Sequence, residues 1–104
     1  MNMKLVHISF RFEYVDHVER ILDESGIEDY VRYPMVEGKD QEGKHFGGQV
    51  FPGSVTVCQA LVKDDMVHGL MESLQRFRMK KNSHRHLRAA VMPVEQALGL
   101  EEET

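Results

Sequence analysis

Residues 4–12 alternate between two chemical sides, with Val6, Ile8, Phe10 and Phe12 on one and Leu5, His7, Ser9 and Arg11 on the other. A period of two is that of a β-strand, whose successive side chains point to opposite faces. From Glu13 the period lengthens: Tyr14, Val18, Ile21, Leu22 and Ser25 share one side of a helix, and Asp16, Glu19, Arg20, Asp23 and Glu24 share the other. Gly26 is placed to end that helix just beyond its C-cap. Residues 29–36 are aromatic and β-branched enough for a second strand, in which Pro34, lacking an N–H, predicts an edge, a strand end or a bulge. A third strand is expected over 54–62, where β-branched residues follow the Pro52-Gly53 turn signal. Asp64 is then a candidate cap for a second helix carrying Val67, Leu70, Met71, Leu74 and Phe77 at helical spacing. Gly69, weak in a helix, is expected to mark close packing. A basic turn, MKKNSHR, ends this helix, and 87–94 read as a fourth strand, followed by a short last turn over 95–100.

The order strand, helix, strand, loop, strand, helix, strand is the split βαβ arrangement. The expected class is therefore α+β: a ferredoxin-like βαββαβ sandwich whose antiparallel four-stranded sheet carries two helices on one face. Two helices leave the other face open, and the third strand is apolar on both sides, with Thr56, Cys58 and Ala60 on one and Val55, Val57 and Leu61 on the other. An apolar second face predicts a homo-oligomer in which that face packs on its copies.

The connection between the second and third strands, residues 36–53, departs from the rest of the pattern. Connections usually run to about 4–6 residues. This one, VEGKDQEGKHFGGQVFPG, holds five of the eight glycines, interleaved with Lys39, Lys44 and His45. Such a segment joins backbone freedom to cationic donors, and Gly47-Gly48 with the two lysines present the kind of N–H and ammonium groups that bind anions. A binding role is expected here rather than a catalytic one. Glu37, at the root of the loop, is a carboxylate placed to anchor it.

Composition narrows the classes. One hundred and four residues fit a single domain over 1–104, with residues 101–104 an acidic tail. A net charge of −4 argues against nonspecific nucleic-acid binding. No apolar run approaches the roughly 20 residues of a spanning helix, so no membrane insertion is expected. With no secretory leader pattern and one cysteine, Cys58, a cytoplasmic location is expected, and Cys58 itself reads as a core residue. Charge is unevenly spread: six of the 13 Lys and Arg residues fall between Arg76 and Arg88, with no acidic residue among them. Such a segment either complements its own helix dipole or attracts a small anion.

No nucleophile–base pairing, CxxC or phosphate-loop signature is present, so the chain is not expected to be an enzyme. His84 and His86, one residue apart at the predicted start of the fourth strand, would point to the same side of an extended backbone. They form the alternative reading, a metal-binding or metal-responsive protein with interface histidines and a divalent ion as cofactor, to which His45 and His7 would add ligands within an oligomer.

Two segments, YVRYPMVEGKDQEGKHFGGQVFPG and LRAAVMPVEQAL, together with the order of elements and the long loop, resemble the PII signalling family over about residues 4–98. The resemblance is to a divergent PII-like branch. It implies a homotrimer with clefts between subunits that bind a small effector, nucleotide-like or anionic, with an adenine nucleotide as the candidate ligand. It further implies that loop 36–53 responds to the ligand and docks on a protein target, a transporter or a regulator. By position, Gly38, Lys39, Lys44, His45, Gly47 and Gly48 would bind from the loop, and Arg85 and Arg88 from the turn of a neighbouring subunit, alongside His84 and His86. Better-known PII proteins carry a glycine-rich turn before the last strand. Here that turn is KKNSHRH, without glycine, and the loop has no tyrosine.

Overall fold

The computed structural model describes residues 2–36, 38–40, 43–45 and 54–100, with the backbone alone for 38–40 and 43–45. Along the chain these form β1 (Met3–Arg11), a 3-10 turn (Phe12–Tyr14), α1 (Val15–Glu24), β2 (Tyr30–Val36), β3 (Gly38–Asp40), β4 (Gly43–His45), β5 (Val55–Lys63), α2 (Asp64–Lys80), a second 3-10 turn (Asn82–His84) and β6 (Arg88–Pro93). Four strands make one antiparallel sheet in the order β2-β5-β1-β6, the topology expected of a split βαβ chain.

The period of two in β1 becomes a division of faces. Val6, Ile8 and Phe10 are at most 1% exposed and lie opposite Ala60, Cys58 and Thr56 of β5. Val18 and Leu22 of α1 and Leu70, Leu74 and Phe77 of α2 close over them to form the core. Burial of each large side chain contributes about 1.5–3 kcal/mol. Cys58 belongs to this layer; it is fully buried, and burial pushes its thiol pKa up to about 11, which keeps it protonated and unreactive.

Local signals are realised at Gly26 and Pro34 but not at Phe12, Asp64 and Gly69. Phe12 does not continue the apolar side of β1, because the chain leaves the strand at Arg11 and Phe12 opens a 3-10 turn, where it is exposed. Gly26 has φ +82, and the bonds Gly26 N–H to Asp23 O (3.0 Å) and Ile27 N–H to Leu22 O (2.9 Å) close α1 in a Schellman motif. Pro34 sits where an edge strand tolerates it: β2 is the sheet's outer strand, its register against β5 shifts between Tyr33 and Val36, and the Pro34 carbonyl accepts from Thr56 Oγ1 at 2.7 Å. Asp64, however, does not cap α2. Lys63 occupies that position and Asp64 starts the first turn, where its carboxylate favours the helix dipole and takes Lys4 Nζ at 2.7 Å. Nor does Gly69 mark close packing, because it is exposed and a Cβ there would meet nothing within 4 Å.

The long connection contains secondary structure that its glycines concealed. Gly38–Asp40 pairs antiparallel with Gly43–His45, Lys39 opposite Lys44, as a two-stranded sheet separate from the main one. The expected roles of Glu37, Gly47, Gly48 and the 101–104 tail fall outside the described residues. Residues 95–100 form bends rather than a helical turn. No helix among the described residues is long and apolar enough to cross a membrane.

Candidate functional site

The basic turn between α2 and β6 is held by rings rather than by glycines. Its backbone follows a 3-10 turn over Asn82–His84 with Arg85 N–H bonded to Asn82 O (3.1 Å), and no residue in it has positive φ. A glycine is therefore not required there. His84 is buried, its ring stacked on Phe77 at 3.9 Å and 7°. Its Nδ1 lies 2.8 Å from the Phe77 carbonyl. A carbonyl only accepts, so the ring donates from Nδ1 and satisfies one of the four orphan carbonyls at the end of α2.

Tyr14 sets its edge against His84 (4.8 Å) and stacks with His86 (5.3 Å, 29°), tying the turn to the start of α1. His86 donates from Nδ1 to Ser83 O at 2.8 Å, while its Nε2 is buried with no hydrogen-bond partner among the described residues. Burial holds the His86 pKa below the ordinary imidazole value. The Ser83 bond works the other way, Arg11 lowers it further, Glu13 raises it, and His84 lowers it.

This geometry corrects the placement of the two histidines. They lie in the turn before β6 rather than at the start of a strand, and each Nδ1 is engaged by a backbone carbonyl. Among the described residues no three His, Cys, Asp or Glu side chains gather as a metal site would require. The local job of His84 and His86 is to anchor the turn that carries Arg85 and leads into Arg88 at the start of β6.

Beside this turn a groove of about 600 Å³ wraps the outer edge of β6. On the open face it is walled by His7 and Ser9 of β1 and by Arg88 and Ala90 of β6, which are opposed pairs in the ladder: His7 with Ala90, Ser9 with Arg88. Round the edge, Met71, Leu74, Gln75 and Arg78 of α2 continue the wall. Arg78 is held by its Nε–H, which donates to Leu87 O at 2.8 Å, and Arg88 is exposed. Two guanidiniums, a hydroxyl and an imidazole beside small alanines suit an anion with a flat apolar part. A second depression, on the open face at the far end of the sheet, is rimmed by Asp29, Asp64 and Asp65 and suits an anion less well.

Of the anticipated binding residues, Arg88 lines the groove, and Arg85 is exposed in the turn beside it. Gly38, Lys39, Lys44 and His45 lie on the β3–β4 ladder that follows β2, at the opposite edge of the sheet. Both sets sit at the same end. Val36 pairs with Val55, Val55 with Arg11, and Arg88 with Ser9 two residues away. Three strand spacings separate the two edges, about 14 Å. Ser9 and Gln75 were not anticipated as binding residues, Arg78 was anticipated only as part of a basic segment that either complements its helix dipole or attracts an anion, and His7 only as a metal ligand. The alternation that put His7 and Ser9 on the polar side of the first strand was the available signal.

No protein-family model and no curated protein matches the chain by sequence. Solved structures do. CPII, a nitrogen regulatory PII-like protein from Thiomonas intermedia K12 solved with ADP, AMP and bicarbonate, superposes with a TM-score of 0.69 at 19% identity, covering 86% of this chain and 89% of that one. A DUF3240 family protein from Shewanella baltica OS155 gives 0.72 at 16% identity over 97% and 99%. The apo form of CPII gives 0.60 at 19% identity over 88% and 94%. The resemblance to PII proteins thus holds at the level of three-dimensional architecture: this chain has the PII-like fold.

Proposed function

We propose that this chain is a non-catalytic PII-like signalling protein. Copies of it assemble as a trimer, bind a small anionic or nucleotide-like effector in the clefts between them, and present loop 36–53 to a protein target. The observation that carries this reading is the division of the basic residues between two edges. The loop root follows β2 and the anchored arginine turn precedes β6, at one end of the sheet but on opposite sides. One chain therefore holds two halves of a site that it cannot close on itself.

A neighbour whose β2 edge approaches this β6 edge completes the site. Joining two different edges is a head-to-tail interface, and such an interface closes into a ring when the rotation between neighbours closes, as a trimer requires. The ring also gives a use to the exposed apolar residues of the open face, among them Val31, Tyr33 and Met92. CPII, which shares the fold, was solved with ADP, AMP and bicarbonate, and these are the first effectors to try. Ligand bound in the cleft would favour one arrangement of the loop over others and so alter its fit to a target.

Sedimentation and calorimetric titration with ADP, AMP and bicarbonate at about 0.15 M salt, an ionic strength that screens nonspecific attraction, test the reading. A trimer that binds one of these ligands, weakened by Arg88→Ala, is the expected result. A chain that stays monomeric at micromolar concentration and gives no heat with any of the three overturns it.

A further inference from the structure

Gln59 and His7 face each other directly across the β1–β5 ladder, and the Gln59 amide nitrogen lies 3.0 Å from His7 Nδ1. With the Gln59 amide in this orientation its NH₂ donates, and Nδ1 accepts. A neutral imidazole has one ring proton, which this bond places on Nε2. The side of His7 away from Gln59 faces Ala90 in the other ladder, whose methyl group leaves the ring open to the β6 groove that His7 lines. We propose that Gln59 is a positioning residue that holds His7 as its Nε2–H tautomer, so that His7 donates a hydrogen bond to the effector in that groove.

This inference rests on the groove being the effector site and names what the site selects. With Nε2–H, the Ser9 hydroxyl and the Arg88 guanidinium on one wall, the groove offers donors and asks for acceptors. A phosphate, carboxylate or carbonyl oxygen, or a ring nitrogen with a lone pair, meets that demand. A cationic or N–H-bearing group at the same place would leave Nε2–H unpaired. The opposite tautomer would invert the preference and confront the Gln59 NH₂ with another N–H.

The experiment joins two measurements at about pH 8, where an ordinary imidazole is neutral. Long-range proton–nitrogen NMR of the ligand-free protein reads the His7 tautomer, and calorimetry reads ADP affinity. Wild type should show protonated Nε2, and Gln59→Leu should give mixed tautomers with ADP about threefold weaker. His7→Leu should weaken ADP roughly tenfold, the scale of one hydrogen bond to a charged acceptor. His7→Gln, whose amide nitrogen stands near the position of Nε2–H, should restore most of it.

A wild-type ring protonated at Nδ1, a tautomer unmoved by Gln59→Leu, or ADP binding indifferent to His7→Leu while Arg88→Ala weakens it, overturns this inference alone. Absence of ADP binding to the wild-type protein overturns the nucleotide reading and takes this donor role with it.

Discussion

The two faces of the main sheet are built from alternate residues of the same strands, yet they are finished in different ways. On the helix side Val6, Ile8 and Phe10 meet Thr56, Cys58 and Ala60 and are sealed by α1 and α2. On the other side Val31 remains 55% exposed and Tyr33 45%, while His7, Ser9 and Arg88 form the polar wall of a groove. The first face is completed by the chain itself. The second has an apolar rim at β2 and a donor-rich margin at β6, the two margins on which the proposed trimer and its ligand depend. Stability belongs to the first face, and recognition is what we propose for the second.

Substitutions should separate the two. Phe10→Ala, on the sealed face, should cost about 3–5 kcal/mol of folding stability, read from denaturant midpoints, and at that size threaten folding altogether. A loss below about 1 kcal/mol would mean that the helix side is far less tightly packed than its burial indicates. Tyr33→Asp, at the apolar rim, should leave the protomer folded and convert the proposed trimer to monomer in sedimentation. An unchanged sedimentation profile would remove β2 from the interface.

The turn that joins α2 to the groove gives a test by pH. His86 is held below the ordinary imidazole pKa, chiefly by burial, so the folded chain refuses a proton that the unfolded chain accepts. Stability should therefore fall as pH drops below about 6.5 and level off once His86 itself is protonated in the folded state. His86→Phe, which keeps a ring for Tyr14 but cannot titrate, should flatten that decline between pH 7 and 5. Equal slopes for the two proteins would assign the acid response to other groups. The Cys58 thiol acts at the other end of the scale. With its folded pKa raised to about 11, stability should fall as pH rises from the ordinary thiol range through that value. A thiol reagent at neutral pH should label Cys58 only as fast as the core opens. The smallest effect is expected at Gly69, which has open space around it. Gly69→Ala should raise stability by about 0.8–1 kcal/mol without changing oligomeric state or ligand binding.

The α+β order, the sealed side of β1 from Val6 to Phe10, the helix stripe from Val67 to Phe77, the glycine stop at residue 26 and the edge, end or bulge signalled by Pro34 were all legible in the chain. Each depends on neighbours a few residues apart, where periodicity and backbone stereochemistry act directly. The cap at Asp64 and the packing at Gly69 were misread for the converse reason. The partner of Asp64 is Lys4, 60 residues earlier, and the surroundings of Gly69 depend on how α2 lies on the sheet. The β3–β4 ladder was hidden because glycine and lysine carry no strand signal of their own.

The candidate site was legible only in parts. Arg85 and Arg88 stood out as charge, but their anchoring by Tyr14, Phe77 and His84 joins three separate elements of the chain. His84 and His86 looked like paired ligands because an extended backbone was expected there, and a 3-10 turn instead gave each a carbonyl to bind. What the chain alone determined is which residues alternate, where helices stop and where glycine and charge collect, since local sterics and hydrophobic period decide those matters. Tertiary structure decided that His7 faces Gln59, that the groove runs along β6, and that the loop root and the arginine turn occupy opposite edges of one sheet. Those relations depend on strand order, and strand order is settled only when distant segments pair.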